Sequence, residues 1–410
     1  MSQLTGYHIM IVSKYFATII DFINLKLVCK KFGGNMEKFH FNPIPLNSKT
    51  LGYFPNIETL HLWNKNDDNF GNKFMNNTEE NGDCENKGVF KKEFFRIIVW
   101  FNVDFKTVDR NKNRNIEFKN VTYTQKDREE FGNNIPQNIG SIGNQCFYEC
   151  SSLTYVSIPS SVSSIGDYCF YGCYRLSSVT IPSSVKYIGY QCFYKCKSLI
   201  SVSIPSSVTY IGIQCFFVCS SLNSVNIPSS VTSIGDCCFY ECSSLSKITI
   251  PFSVTYIGDE CFSECSSLTY VYIPSNVKSI GDGCFYGCNN LSRITIQSNV
   301  TTINNYCFSE CSSLTNIYIS SSVTSIGKYC FYGCSSLSNM TIPLSVAYIG
   351  DYCFYGCNNL NSITIPSNVT YIGNGCFSEC SGLSSITIPS SVAYISESYF
   401  PSNTEVHRSK

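Results

Sequence analysis

Between Cys146 and Cys380 the chain repeats every 23 residues with no insertion or deletion, and that phasing constrains its fold more than any other feature. The pair Cys-Phe-x-x-Cys occurs eleven times, with first cysteines Cys146, Cys169, Cys192, Cys215, Cys238, Cys261, Cys284, Cys307, Cys330, Cys353 and Cys376. A unit this short cannot bury its apolar positions alone. It must stack them on the same positions of its neighbours, and a slip of one residue would turn them outward. Residues 135–396 are therefore expected to form a repeat solenoid.

One unit runs from Leu153 to Cys173. Its Val156 and Ile158 alternate with Tyr155 and Ser157, the period of a strand with one buried face. Pro159, which has no N–H to donate, ends that strand. A second alternation from Val162 to Ile165 returns along the other side. Gly166 is expected to turn the chain with a positive φ, and Asn304, which replaces the glycine in one coil, fits the same expectation. Cys169, Phe170 and Cys173 are expected to fill the interior from a short helical turn, since positions four apart face the same way. Leu176 closes the coil.

The pattern Leu-x-x-Ile-x-Ile-Pro-x-x-Val-x-x-Ile-Gly-x-x-Cys-Phe-x-x-Cys resembles the BspA-type (Treponema-type) leucine-rich repeat of bacteria and parasitic protists. That family has Ala-Phe-x-x-Cys where this chain has a cysteine in the alanine column, as at Cys169 and Cys192. The resemblance implies a curved, right-handed solenoid with a parallel inner β-sheet and short helical or extended outer segments. It also implies a binding role, with surface adhesion as one form of it.

The cysteine columns admit packing, disulfide and metal readings. An i, i+4 pair would suit a thiolate clamp, but closed zinc sites gather four ligands in a few places, whereas these pairs repeat uniformly. Free cysteine packs as a small hydrophobe, which is what the uniformity favours. No metal and no cofactor is expected. Nor is catalysis: His8, His40, His61 and His407 all lie outside the repeats, so no histidine base lines the array. Asp167, Asp236, Glu241 and Glu264 fall on the outer turns and read as a solvated face. Charged residues make up 14% and the net charge is zero, so there is no basic stripe for nucleic acid. No apolar run approaches the roughly 18 residues of a membrane span. The first apolar stretches are interrupted by Lys14 and Asp21, unlike a signal peptide. A cytoplasmic location is the resulting expectation, and cell-surface export by an unconventional route is its alternative.

A protein ligand is the expected partner, and the inner strands are where the coils differ. Their exposed positions are mostly Ser and Thr, as in Ser178/Thr180, Ser201/Ser203, Ser362/Thr364 and Ser385/Thr387. Against that background the middle coils add Lys247, Tyr270, Tyr272, Arg293, Asn316, Tyr318 and Asn339. Tyrosine and arginine dominate interface hot spots, which makes this set the candidate binding site. The competing reading is scattered substitution on a strand surface, where tyrosine is common.

Residues 1–62 carry a helical pattern from Tyr7 to Phe39. It resembles an F-box at Ser13, Tyr15, Phe16, Asp21, Phe22, Leu25, Val28, Cys29, Lys30 and Phe32. The resemblance implies that Tyr15, Phe16, Phe22, Leu25 and Val28 contact a ubiquitin-ligase adaptor. The Leu-Pro that opens the motif is missing, and Phe32 stands where tryptophan is usual, so a helical cap is the other reading. Residues 63–134 are expected to be an irregular capping region: a polar loop over 64–90, then irregular strands. Residues 397–410 read as a C-terminal cap and tail, with Tyr399 in place of the first cysteine.

Overall fold

Successive coils of the solenoid are held together by backbone hydrogen bonds on every side, and the positions of the side chains follow from that. The computed structural model describes residues 11–28, 32–75, 91–297, 299–396 and 399–409, and the chain divides into two units, Met1–Tyr123 and Thr124–Lys410. In the second unit most coils lay down two short strands, each running parallel to its counterparts in neighbouring coils. The inner series pairs in register with the 23-residue period, as in Tyr155↔Ser178 and Ser201↔Ser224. The return series does the same along Tyr210, Ser233, Tyr256 and Ser279. The chain is thus the expected parallel-sheet repeat solenoid.

The outer side takes the form of linked tight turns among the described residues rather than a helix. Every second N–H there crosses to the next coil: Gln145 donates to Asp167 O at 2.9 Å, Phe147 to Cys169 O at 2.8 Å and Glu149 to Tyr171 O at 2.7 Å. The N–H groups between them bond back three residues, as Tyr148 does to Gln145 O at 3.0 Å. This alternation requires left-handed backbone immediately before each cysteine of the pair. Gln145 and Glu149 have φ of 57° and 50°, and Glu260 and Glu264 have 50° and 58°.

The positive φ expected at Gly166 is therefore found elsewhere, and this column's glycine has a different cause. Its N–H bonds to the previous coil, Gly166 to Ile142 O at 2.9 Å and Gly281 to Ile257 O at 2.9 Å. That brings two backbones so close that a Cβ on Gly281 would lie 2.3 Å from Asp259 N and 2.4 Å from its Oδ1. Asn304, without a positive φ, instead donates its Nδ2 to Ile280 O at 3.0 Å.

Inside the coil, the columns of Val, Ile, Leu, Cys and Phe are almost fully buried. The phenylalanines form an unbroken stack from Phe147 to Phe400, with centroids 5.1 Å apart at Phe147–Phe170 and 5.6 Å at Phe377–Phe400. These are offset-stacking distances. Phe400 thus extends the stack beyond the last Cys-Phe pair, and Glu405–Arg408 adds a parallel strand to Ser385–Ile388. At the other end Gln125–Phe131 is a short helix with a capping box between Thr124 and Asp127. Its Arg128 donates from Nε to Cys146 O at 2.7 Å.

The cysteines are free and mostly buried among the described residues; Cys29 and Cys84 lie outside them. From Cys173 to Cys380 each second cysteine directs its thiol to the phenylalanine carbonyl 26 residues earlier, at 3.1 Å for Cys173 to Phe147 and 3.0 Å for Cys380 to Phe354. Burial raises most of the repeat thiols from 9.0, to about 12 at Cys215 and Cys265.

In the first unit, Ile19–Val28 is a helix, and its Phe22 packs edge-on against Phe16, Phe39 and Phe54 with centroids 5.0–5.8 Å apart. Residues 91–134, expected to form irregular strands, contain two long and regular ones, Arg96–Asp104 and Ile116–Tyr123. These pair in parallel around the helix Phe105–Arg110, which is capped by Asp104. Thr59–Leu62 pairs with Arg96–Val99 on the other side.

Two predictions follow from the coil geometry. Gly281→Ala should destabilise the chain by about 1–3 kcal/mol through forced overpacking. Gly212→Ala, whose Cβ would meet nothing nearer than 3.5 Å, should be close to neutral. Denaturant midpoints of the two variants check this, and equal shifts would refute the close-approach account. The second concerns alkali. Unfolded thiols release protons near pH 9 while the folded ones resist to about 12, so the unfolded state binds fewer protons as pH rises. Stability should be fully present below about pH 8.5 and lost progressively above it. A denaturant midpoint that stays flat from pH 8 to 10.5 under reducing conditions would contradict this.

Candidate functional site

On an inner strand of a solenoid, alternate side chains must leave the core, and each strand here exposes its first and third residues. Lys247 bridges to Tyr270 in parallel, and Tyr270, Arg293 and Asn316 are direct neighbours on successive strands. The four therefore form one row, one residue per coil. Tyr272, Thr295 and Tyr318 make the adjacent row, so Thr295 separates the two tyrosines. Tyr270, Tyr272 and Tyr318 are 44%, 41% and 57% exposed. Tyr272 donates its hydroxyl to Gln297 Oε1 at 2.9 Å, which fixes the tip of that ring. Asn339 lies on the strand Asn339–Thr341, opposite Ser362, and with Asn316 lines a polar hollow of about 300 Å³. Val271, Ile294 and Ile317, between the exposed residues, are buried.

This face offers aromatic area, hydroxyls, amides, the Lys247 ammonium and the Arg293 guanidinium, groups suited to contact with a partner. Among the described residues no group of three His, Cys, Asp or Glu side chains could hold a metal ion. No helix among them is long and apolar enough to cross a membrane.

The outer-turn carboxylates turn out to be structural as well as solvated. Asp167 Oδ1 accepts the Tyr190 N–H at 2.9 Å, and Asp236 Oδ1 accepts the Asp259 N–H at 3.1 Å. Each therefore binds the following coil. Glu264 is different: burial, then Glu241 and Glu310, push its carboxyl above the usual range.

Of the F-box-like residues, Phe22 is buried in its own unit's aromatic cluster and Ser13 is buried with Oγ accepting from Asn35 Nδ2 at 2.9 Å. Phe16 and Leu25 are half-buried, and Tyr15 and Val28 are exposed. Cys29 and Lys30 lie outside the described residues. Beside Val28, Leu27 is also exposed.

An aromatic group in the first unit escapes sequence reasoning. His61 stacks on Phe41 with centroids 5.1 Å apart and lies 5.7 and 5.9 Å from the rings of Trp63 and Trp100. Burial, with Arg96 and Lys119 adding to it, holds the imidazole below its usual range. Its neutral Nδ1 accepts the Trp100 indole N–H at 3.3 Å. Parallel pairing across 37 residues brings these residues together, and no repeat period announces it.

The family model for the BspA-type leucine-rich repeat region matches residues 118–246, 188–315, 232–345 and 301–408. No curated protein matches the sequence. Among solved structures, a leucine-rich repeat protein from Bacteroides ovatus is 28% identical with a TM-score of 0.47, over 72% of this chain and 84% of that one. A leucine-rich cell surface protein from Faecalibacterium prausnitzii is 28% identical with a TM-score of 0.41, over 70% and 82%. The leucine-rich repeat protein of T. pallidum is 28% identical with a TM-score of 0.37, over 48% and 82%.

Proposed function

The chain belongs to the BspA-type leucine-rich-repeat family, and from that premise we propose that it is a non-enzymatic binding module which holds a protein ligand on its inner strand face. The observation that carries this reading is the row Lys247, Tyr270, Arg293 and Asn316, with Tyr272 and Tyr318 beside it, on a face otherwise mostly of Ser and Thr. Tyrosine and arginine bury large areas while keeping a polar group, and they carry most of the energy of typical interfaces. The row spans four coils, roughly 15 Å at about 4.8 Å per step. That is a hot-spot cluster within a larger footprint of about 800 Å² per partner. The thiol-rich core suits a reducing compartment, and we place the module in the cytoplasm.

Replacing Tyr270, Tyr272 and Arg293 together by Ser or Thr should leave folding intact, because all three side chains face solvent. Affinity for a protein captured by the parent chain should fall at least tenfold, about 1.4 kcal/mol. Equal binding by the triple variant would reduce the row to tolerated surface variation.

One observation favours a second, narrower role as a ubiquitin-ligase adaptor. Leu27 and Val28 at the end of the N-terminal helix are 77% and 83% exposed, an apolar pair with no cover among the described residues of its own unit. On that reading, full-length chain should retain a purified ligase adaptor in a pull-down and lose it on Val28→Asp. Failure of the folded parent to retain any adaptor would leave the helix as a cap.

A further inference from the structure

We infer that the outer turns carry a second binding site, a slot between Tyr240 and Tyr286 that takes the guanidinium of an arginine side chain from a protein partner. It is separate from the inner-face row and does not depend on it. Two residues after each first cysteine the chain places a ring at Tyr148, Tyr171, Tyr194, Phe217 and Tyr240. These rings stack continuously, with centroids 4.6–4.8 Å apart and planes within 7° of parallel. The next position is Ser263, and the one after it is Tyr286. One rung is missing there, and Ser309 and Ser378 leave the same position without a ring farther along the stack.

The gap that results has the dimensions of a planar group. Two coil steps of about 4.8 Å separate Tyr240 from Tyr286 by roughly 9–10 Å. A flat ligand in contact at about 3.5–4.0 Å on each side needs roughly 7–8 Å. A cavity of about 250 Å³ occupies the gap, lined by Tyr240, Ser263, Tyr286 and Tyr306, with Glu260 and Asp282. Ser263 is 1% exposed at its base. Gly283, at φ 58°, also lines it; every other coil except that of Gly375 carries a side chain at this position, most often glutamine or tyrosine, so a side chain that could cover the slot is absent.

The charge of the slot selects its occupant. Glu260 and Asp282 line it, and neither has an ion-pair partner among the described residues. Glu264 acts on both walls: its charge raises the hydroxyl of Tyr240 and that of Tyr286, in each case second to burial. Two π faces with carboxylates around them repel anions and favour a cation. A guanidinium is planar enough to enter between rings and presents N–H donors in its plane to carboxylates at the rim, which a compact ammonium does not.

The test uses the full chain and Nα-acetyl-argininamide, with the isosteric citrulline derivative as the uncharged control, followed by protein NMR or saturation transfer. The arginine probe should bind at least tenfold more tightly than the citrulline probe. Ser263→Tyr restores the rung that neighbouring coils already carry and should reduce arginine binding at least tenfold. Glu260→Gln, a surface change, should weaken it at least threefold. The inner-face triple variant should bind the probe like the parent, which separates failure here from failure of the inner-face reading. Equal affinity for both probes, undiminished binding by Ser263→Tyr, or no binding by the parent at tens of millimolar probe would overturn the proposal.

Discussion

The constraint on which the rest depends is the distance between one coil and the next. Parallel backbones that share hydrogen bonds lie about 4.8 Å apart, and here they do so along the inner strands, the return strands and the outer turns at once. A side chain therefore has no freedom to settle its own spacing. Phenylalanine can occupy every coil because its ring tolerates an offset stack at 5.1–5.6 Å. The return-side glycine is required where a Cβ would meet the preceding backbone at 2.3–2.5 Å, as at Gly166, Gly189 and Gly281. Gly212, where the nearest atom is 3.5 Å away, is the member of the column that lacks this close contact.

The same spacing explains the left-handed residues. Holding an L-residue there costs roughly 1–2 kcal/mol, yet glutamate, glutamine, lysine, tyrosine and valine all occupy such positions on the outer turns. What offsets the cost is that their own N–H groups reach a carbonyl of the next coil, Glu264 to Tyr286 O at 2.7 Å and Val218 to Tyr240 O at 2.8 Å. A helical turn would have directed those groups along its own axis and left the coils unjoined. This is why the i, i+4 spacing of Cys169 and Cys173, which suggests a helix, is met by linked turns.

The repeat, its strand and the buried columns were legible in the sequence because each column recurs in phase and periodicity reports burial directly. The row on the inner face was legible for the same reason, since the period places Tyr270 beside Arg293. Other features were not. The glycine's role depends on a distance between backbones 23 residues apart, and glycine itself does not distinguish close approach from positive φ. Strands were expected over 91–134, but the length and pairing of Arg96–Asp104 and Ile116–Tyr123 were not legible because their register, Ile97↔Ile116, breaks the period. Their caps at Asp104 and Thr124 were readable as Asp-x-x-Thr and Thr-x-x-Asp, but only once the strands were placed. Phe22 fits an F-box and a core equally well, and packing against Phe39 and Phe54 decides that it is core.

In such a molecule specificity can arise only where a column departs from its own rule. Interior columns cannot depart, because each coil contacts only its neighbours and a misfit is felt on both sides. Exterior columns can, and they do so in two ways. The inner face gains side chains, with tyrosine and arginine replacing serine and threonine. The outer ladder loses three, with Ser263, Ser309 and Ser378 replacing rings. Gains create protruding area and losses create a recess, so the first suits a broad protein surface and the second a single inserted side chain. The inner-face row and the gaps at Ser263 and Ser309 fall in the coils between Tyr240 and Tyr318, whereas Ser378 lies beside Ser385/Thr387, where the inner face keeps the plain pattern, so the two kinds of departure coincide in the middle coils without being confined to them.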